Sequence, residues 1–269
     1  MWFRHLSVLC LALLPLGLSL PAQPEAAYDL VLRNGKIVDG TGNPWFRGDV
    51  AIKGNRIAVI GRVAPNAGRR EIDVKGLIVA PGFIDMHSHS DFTILEDGDA
   101  QSKIRQGVTT EVLGESTSPG PYQGKLPPPS VSIEGTPTKW TTLGAYFDLV
   151  EKAGVSTNIV SHVGLSNVWR SVMGNSHARP TKEQFEQMKT LVEEAMQNGA
   201  RGLSCMLAAP PDSLATREEL VELCKIVKKH GGIFVVHIRN EGTGVFDAIR
   251  EVIEIGRLAG ITVEILHIK

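Results

Sequence analysis

Residues 81–91 read PGFIDMHSHSD, a Pro-Gly turn and an apolar run followed by His87 and His89 with one serine between them. On a β-strand, side chains at positions i and i+2 project to the same face, so the two imidazoles are expected side by side near the carboxyl end of the strand. Paired imidazoles are suited to binding a metal ion. The same residues fit equally well a pair of half-exposed histidines at a strand end.

After this stretch, predicted strands and helices alternate along the chain. The strands are expected at Phe83–His89, Thr109–Glu115, Asn158–Gly164, Arg201–Leu207, Ile233–Arg239 and Thr262–Lys269. Helices are expected near 93–106, 142–153, 181–198, 216–230 and 244–259. Capping-box patterns that begin at Thr181 and Thr216 support two of the helix starts. Regular alternation of this kind predicts a parallel sheet, either doubly wound and open or closed into a (β/α)₈ barrel.

The positions of the polar residues favour the barrel. His89, Glu115, His237 and His267 lie at or close to the carboxyl ends of four different predicted strands. A barrel collects its active site from the carboxyl ends of successive strands, whereas an open sheet brings two or three such ends together at its switch point. No GxGxxG dinucleotide fingerprint follows any predicted strand. The sequence therefore predicts a (β/α)₈ TIM-type barrel over residues 81–269, with about six of the eight strands present.

The residues before the barrel divide into two predicted segments. Arg4 precedes an almost unbroken apolar run from Leu6 to Leu20, a pattern typical of a secretory signal peptide over residues 1–22. The run is short for a membrane span, although an uncleaved anchor is an alternative. Short β-branched runs separated by Asn-Gly and Gly-Asn pairs predict a small antiparallel β unit over residues 28–80, interpreted as part of a β-sandwich domain.

Composition limits the classes of function. The chain has 269 residues, a formal charge of −1 and 42% hydrophobic residues, values typical of a globular protein. The near-neutral charge gives no support to nucleic-acid binding. After removal of a signal peptide only Cys205 and Cys224 remain, too few for a disulfide framework. We expect a periplasmic or secreted protein with no membrane attachment after signal cleavage.

One connection is unusually long. Residues 116–140, STSPGPYQGKLPPPSVSIEGTPTKW, are rich in proline, glycine and serine and follow the second predicted barrel strand. A connection of this length is uncommon in a compact domain, and it is expected either to cover the site or to form a mobile surface insertion.

Five side chains form the candidate metal site. They are the imidazoles of His87, His89, His237 and His267 and the carboxylate of Glu115. Imidazole and carboxylate ligands together suit zinc or a neighbouring first-row ion. Taken singly, a histidine in an apolar strand is more often a core residue, and a glutamate at a strand end more often pairs with an arginine. Their predicted convergence at one rim of one barrel favours the metal site.

The chain resembles the amidohydrolase superfamily, and within it the N-acyl-D-amino-acid deacylases (D-aminoacylases). The resemblance covers nearly everything after the predicted signal peptide. It rests on DLVLRNGKIVDGTGNPW, GDVAIKGNRIAVIG, APGFIDMHSHSD, GVTTEVLGE, GARGLSCML, HIRNE and ILHIK. The H-x-H strand after PGFID indicates the superfamily, which also contains dihydroorotases, hydantoinases and isoaspartyl dipeptidases. The remaining phrases indicate the deacylase group.

The resemblance implies a ligand set. His87 and His89 would bind the more buried metal ion, and His237 and His267 would bind the second. Well-known D-aminoacylases have a cysteine at the bridging position, and hydantoinase-like relatives have a carbamylated lysine. This chain has VLGES there, and we expect Glu115 rather than its neighbouring serine to bind, because an ionised carboxylate is the better ligand. One or two Zn²⁺ ions are compatible with this change.

The resemblance also implies the reaction, which is hydrolysis of the amide bond of an N-acyl-D-amino acid by a zinc-activated water. The family's general base is an aspartate on the last barrel strand, which is expected downstream of Lys269, so we expect the chain to be the amino-terminal portion of a longer enzyme. No catalytic residue is therefore assigned within the chain. The alternatives are a dipeptidase, a cyclic-amide hydrolase of the dihydroorotase or hydantoinase kind, and a non-catalytic metal-binding fragment.

Two cations are candidates for binding the substrate carboxylate. Arg239 and Lys269 each lie two residues after a candidate ligand histidine, on the same side of its strand. Pairing of Arg239 with Glu241 is the alternative. Among the remaining polar residues, Asp85 and Asp91 are expected to be supporting groups. His162 is expected to be a hydrogen-bonded core residue and Cys205 a buried one, whereas His177 and His230 are expected to be incidental.

Overall fold

The computed structural model describes residues 26–268. The predicted signal peptide over residues 1–22 and the candidate substrate ligand Lys269 lie outside the described residues. The chain divides between Pro81 and Gly82 into two compact units. No helix among residues 26–268 is long and apolar enough to cross a membrane.

The first unit is a five-stranded sheet with a small apolar core. Its strands are β1 (Tyr28–Ile37), β2 (Phe46–Lys53), β3 (Arg56–Gly61), β4 (Gly68–Asp73) and β5 (Ile78–Val79). The strand order is β3-β2-β1-β4, and β5 also pairs with β1. Val31, Ala51 and Val63 are buried at the centre of this unit.

The prediction of an antiparallel unit was wrong for two of the five strands. β1 pairs antiparallel with β2, and β2 pairs antiparallel with β3 across a tight turn. However, β4 and β5 both pair parallel with β1. After β3 the chain crosses the sheet and adds β4 on the far side of β1, instead of forming another hairpin with β3. Turn residues alone therefore did not reveal the direction of β4. The described residues of the first unit form a single sheet, and the second layer of a sandwich stays a prediction.

The second unit contains parallel strands that follow one another in chain order. They are β6 (Phe83–Asp85), β7 (Val108–Leu113), β10 (Asn158–Ser161), β11 (Val163–Gly164), β12 (Gly202–Met206), β13 (Ile233–His237) and β14 (Val263–Ile265). One sheet has the order β10-β7-β6 and another the order β11-β12-β13-β14. Only His162 separates β10 from β11, so residues 158–164 pair with β7 on one side and with β12 on the other. This neighbour order is the one predicted.

Helices connect these strands. They are α1 (Thr93–Glu96), α2 (Gln101–Ile104), α3 (Leu143–Ala153), α4 (Leu165–Met173), α5 (Lys182–Gln197), α6 (Arg217–Lys229) and α7 (Val245–Ala259), with a 3₁₀ turn at Asp212–Leu214. Both predicted capping boxes are formed, since Thr181 and Thr216 each accept a hydrogen bond from the backbone N–H three residues later. The predicted helix near 93–106 is two short helices. Helix α4 was not predicted, because it starts directly after β11 and no capping side chain marks its first turn.

The long connection over residues 116–140 is anchored by buried contacts at its beginning. The Asn167 side chain accepts a hydrogen bond from the Ser118 backbone N–H and donates to the carbonyls of Ser118 and Pro121. Trp140 Nε1 donates to the Pro119 carbonyl at 2.6 Å. The middle of the connection forms a hairpin of β8 (Val131–Ile133) and β9 (Thr136–Thr138). These contacts argue against a mobile surface insertion, because helix α4 and Trp140 fix the path of the chain.

A buried polar network lies behind the H-x-H stretch. Glu111 on β7 is fully buried and accepts hydrogen bonds from Ser88 Oγ at 2.7 Å, Ser90 Oγ at 2.6 Å and Thr157 Oγ1 at 2.9 Å. Lys103 Nζ lies 3.5 Å from the same carboxylate. Burial raises the pKa of Glu111, but the hydrogen bonds outweigh it and the net pKa is lowered, so the carboxylate is charged at neutral pH. Because Ser88 lies between His87 and His89, the network fixes the backbone that carries both imidazoles.

We predict that Glu111→Ala lowers the free energy of unfolding by about 3–5 kcal/mol, because it leaves Lys103 and three hydroxyls without their buried acceptor. Glu111→Gln keeps an acceptor oxygen and should cost less. Urea unfolding of the full chain measures both. Glu96→Ala removes an exposed carboxylate from α1 and should stay within about 0.5 kcal/mol of wild type. An Ala variant at position 111 as stable as that control would show that the network contributes little.

Candidate metal centre

A turn at the end of β7 directs Glu115 toward the four candidate histidine ligands. Gly114, the residue after Leu113, has a φ of +90°. A Cβ at this position would lie 2.5 Å from the carbonyl oxygen of His162, so any other residue would require both a strained backbone and a displaced neighbour. The sequence LGE therefore supplies the change of direction that brings the carboxylate beside the strand ends.

The Glu115 carboxylate lies among four imidazoles, and each of its oxygens faces one pair. Oε2 lies 2.5 Å from His87 Nε2 and 3.3 Å from His89 Nε2. Oε1 lies 3.6 Å from His237 Nδ1 and 3.7 Å from His267 Nε2. The structure thus brings together the five residues that the sequence nominated, and it divides the histidines into the two predicted pairs.

Burial and donor chemistry are both compatible with a metal ion. The Glu115 side chain is 10% exposed, and its Oε1 has no hydrogen-bond partner among residues 26–268. A buried carboxylate oxygen without a partner is costly, and a cation would remove that cost. Imidazole nitrogens and carboxylate oxygens are zinc ligands. Within the described residues, His87, Glu115 and His267 offer ligand atoms that all lie within 4.8 Å of one another.

Glu241 is a second carboxylate at this site, and sequence reasoning considered it only as a partner for Arg239. Its Oε1 lies 3.1 Å from His267 Nδ1, and its Oε2 lies 3.7 Å from His237 Nε2. It follows His237 by four residues in the phrase HIRNE. Beyond the end of a strand, a spacing of four residues does not predict that two side chains are neighbours. The contact therefore depends on the path of the loop.

The guanidinium of Arg239 is occupied elsewhere, which does not support the prediction that it binds the substrate carboxylate. It pairs with Glu251 on α7 through Nε and Nη2, each at 3.0 Å from one carboxylate oxygen. Nη1 and Nη2 also donate to the carbonyls of Ser213 and Ala215. The predicted alternative partner, Glu241, is not the one found. Arg239 therefore anchors the loop after β13, and no feature of its sequence position identified Glu251 twelve residues away.

The neighbouring polar residues differ in role. Asp85 pairs with Lys103 and accepts a hydrogen bond from the His87 backbone N–H, so it supports the strand end as predicted. Asp91 is buried, and burial raises its pKa to about 6. His162 is buried as predicted, but neither ring nitrogen has a hydrogen-bond partner within residues 26–268, so the predicted hydrogen bond was wrong. Burial lowers the His162 pKa to about 4.

The two cysteines of the described chain are free and buried. Burial raises the pKa of the Cys205 thiol well above its ordinary value, which makes it a poor source of thiolate. This agrees with the prediction of a buried core residue.

Asp212, in the 3₁₀ turn after β12, was not singled out from the sequence. It is fully buried, its Oδ2 accepts a hydrogen bond from the Met206 backbone N–H at 2.8 Å, and its Oδ1 has no partner in the described part of the chain. Burial raises its pKa to about 7. The sequence PPDSL gives only a turn signal, and burial of the carboxyl depends on packing between distant segments.

A cavity of about 530 Å³ adjoins the candidate metal centre. Its lining includes Ser116, which follows Glu115, and Met206, which pairs with His237 across the sheet. Arg170 and His177 line it from α4 and the following loop. The cavity is large enough to hold a small organic molecule, and its lining begins at the residue after Glu115 without including any of the five candidate ligands.

Comparison with known proteins identifies similar chains. Residues 70–263 match the model of the amidohydrolase family. The D-aminoacylase of Alcaligenes xylosoxydans xylosoxydans is 38% identical over 90% of this chain and 51% of its own length. The chain thus spans about half the length of this relative.

Two solved structures of similar proteins are relevant to the site. The N-acyl-D-glutamate deacylase from Bordetella bronchiseptica, solved with zinc and a phosphonate mimic of the tetrahedral intermediate, has a TM-score of 0.79 and 33% identity. The match covers 88% of this chain and 50% of that chain. A D-aminoacylase described as having a binuclear metal centre, with one-metal activation and second-metal attenuation, matches with the same TM-score, identity and coverage.

The buried Asp212 should make the free energy of unfolding depend on pH. Its carboxyl holds a proton in the folded chain up to about pH 7, whereas the ordinary carboxyl loses it near pH 3.8. The folded state therefore binds more protons between these values, and this contribution to stability is lost as the pH rises from about 4 to about 7. Asp212→Asn keeps an acceptor for Met206 without the charge. Relative to wild type, the variant should gain about 2–3 kcal/mol in unfolding free energy between pH 5 and pH 8.

Urea unfolding of both proteins at the two pH values, with a chelator present, measures this difference. Asp148→Asn, which removes an exposed carboxylate from α3, is the matched control and should show no pH-dependent difference. A difference between Asp212→Asn and wild type that is the same at both pH values would contradict the prediction.

Proposed function

Because the chain belongs to the amidohydrolase family, we propose that the protein uses zinc to hydrolyse the amide bond of N-acyl-D-amino acids. The observation that carries the proposal is the Glu115 carboxylate between two histidine pairs, with one buried oxygen unpartnered among residues 26–268. The relatives named above support the substrate class, since they are a D-aminoacylase and an N-acyl-D-glutamate deacylase. The chain covers about half of each relative, so the activity is proposed for the whole protein.

The same proposal includes a (β/α)₈ barrel as the complete fold of the second unit. The parallel strands follow chain order. Four of the five candidate ligands lie just beyond β6, β7 and β14, and the fifth, His237, is the last residue of β13. An arrangement of functional groups at the carboxyl ends of successive strands is typical of barrel enzymes. Secretion through a signal peptide over residues 1–22, into the periplasm or the medium, is also part of this proposal and rests on the apolar run alone.

Each candidate ligand has a distinct role in the proposed site. Glu115 would bridge two subsites, with His87 and His89 on the side of Oε2 and His237 and His267 on the side of Oε1. Zinc bound there would lower the pKa of a water molecule and polarise the amide carbonyl. The cavity beside Ser116 and Met206 would hold the substrate, and Lys269 would bind the substrate's carboxylate.

Hydrolysis of a linear amide is preferred over the cyclic-amide and dipeptide alternatives because the D-aminoacylase and the N-acyl-D-glutamate deacylase named above match most of this chain at more than 30% identity. Polar groups in the cavity, including the cationic Arg170, suit a substrate that carries charge. Two subsites around one carboxylate accommodate either one or two Zn²⁺ ions.

We predict that Glu115→Gln lowers kcat/KM for N-acetyl-D-leucine by at least about 100-fold and lowers the bound zinc per chain, because a neutral amide is a much weaker ligand. Steady-state kinetics and elemental analysis of the full-length protein measure the two effects. Glu96→Gln changes the same side-chain type on an exposed surface and should leave both unchanged. N-acetyl-L-leucine tests the stereochemical part of the proposal.

Two results would contradict the proposed function. Zinc binding without hydrolysis of any N-acyl-D-amino acid would indicate a non-catalytic metal-binding protein. Full activity of Glu115→Gln would show that the carboxylate is not part of the catalytic site.

A further inference from the structure

We propose that Glu241 is a positioning residue that holds the proton of the neutral His267 ring on Nδ1. Nε2, which faces Glu115, is then the metal-binding atom. The proposal rests on the metal site proposed above and adds to it a residue outside the nominated ligands. Its central observation is that the His267 imidazole lies between two carboxylates. Nδ1 lies 3.1 Å from Glu241 Oε1, and Nε2 lies 3.7 Å from Glu115 Oε1.

The chemistry of neutral imidazole makes this arrangement selective. One ring nitrogen carries the proton and donates, and the other carries the lone pair that binds a metal ion. A carboxylate that accepts from Nδ1–H leaves the lone pair on Nε2, directed at Glu115. Histidine ligands commonly donate their second N–H to a carboxylate in this way, which fixes the ring and raises its basicity as a ligand.

His267 depends on a carboxylate partner to place its ring proton, whereas His237 does not. A free histidine side chain in water favours the form protonated on Nε2, which is the nitrogen that His267 must keep unprotonated. His237 faces Glu115 through Nδ1, and its Nε2 lies 3.7 Å from Glu241 Oε2, beyond hydrogen-bond distance. The favoured form of His237 already has its lone pair on the required nitrogen. Loss of Glu241 should therefore move the ring proton of His267 from Nδ1 to Nε2 and leave the ring proton of His237 on Nε2.

The loop holds Glu241 in place from both sides. On one side, Arg239 is fixed by Glu251 and by the carbonyls of Ser213 and Ala215. On the other side, Asn240 Oδ1 accepts hydrogen bonds from the backbone N–H groups of Gly242 at 2.8 Å and Gly244 at 3.2 Å. A positioning residue acts well only when its own place is fixed, and these anchors supply that constraint.

Direct metal binding by Glu241 is the competing arrangement. Ligand atoms of His237, Glu241 and His267 lie within 4.8 Å of one another, so the three could hold an ion between them. In that case Nδ1 of His267 would carry the lone pair and Nε2 the proton. The two arrangements thus differ in which nitrogen of one ring is protonated.

Nitrogen NMR of ¹⁵N-histidine-labelled full-length protein, free of metal and at pH 8, tests the proposal without any activity assay. His267→Gln assigns the signals. Wild type should show His267 protonated on Nδ1. Glu241→Ala should shift the ring to the Nε2-protonated form, whereas Glu241→Gln, whose amide oxygen still accepts a hydrogen bond, should largely retain the Nδ1 proton. Glu254→Ala removes an exposed carboxylate from α7 and should change nothing.

Zinc titration of the same proteins gives the second readout. Glu241→Ala should weaken zinc binding about 10- to 100-fold, and Glu241→Gln by clearly less. Wild-type His267 protonated on Nε2, or equal loss of zinc affinity in both variants, would overturn the proposal in favour of direct binding. If the ring behaves as expected but wild type binds no zinc, the positioning of His267 stands and the proposed function fails.

Discussion

The Glu115 carboxylate, which is 10% exposed and has one buried oxygen, is the constraint on which the rest of the second unit depends. A charged group removed from water must be compensated by hydrogen bonds or opposite charge, and here four imidazoles supply only part of that compensation. Neutral imidazoles carry lone pairs as well as protons, so their nitrogens and the carboxylate oxygens form a set of donors directed at a shared space. A divalent cation resolves this excess of negative and lone-pair character, which is why the arrangement indicates a metal centre.

Two further carboxylates hold the ligands from behind. Glu111 fixes the backbone around His87 and His89 through Ser88 and Ser90, and Glu241 contacts the other histidine pair. Each is connected to helices or loops outside the centre, the first through Lys103 on α2 and the second through its neighbour Arg239 and α7. Packing of the helices against the sheets is thereby coupled to the geometry of the five nominated ligands.

The sequence predicted the features that depend on local pattern. The two threonine capping boxes marked helix starts, and the histidines and Glu115 near the ends of predicted strands are the five residues that the structure brings together. The predicted strand Phe83–His89 was too long, because β6 ends at Asp85 and both histidines follow it. The sequence did not predict contacts set by loop paths and distant packing. Arg239 pairs with Glu251, Glu241 faces two histidines, and Asp212 is buried beneath β12. Helix α4 and the parallel direction of β4 likewise had no local signal.

X-ray diffraction from zinc-loaded crystals of the full-length protein, with anomalous scattering at the zinc edge, would locate a metal ion relative to Glu115 and the two histidine pairs. We expect a zinc ion about 2.0–2.2 Å from a Glu115 oxygen, bound also to at least two of the four histidine nitrogens that face this carboxylate. Zinc bound away from Glu115, or the absence of an anomalous peak between the two histidine pairs in crystals grown with excess zinc, would contradict it.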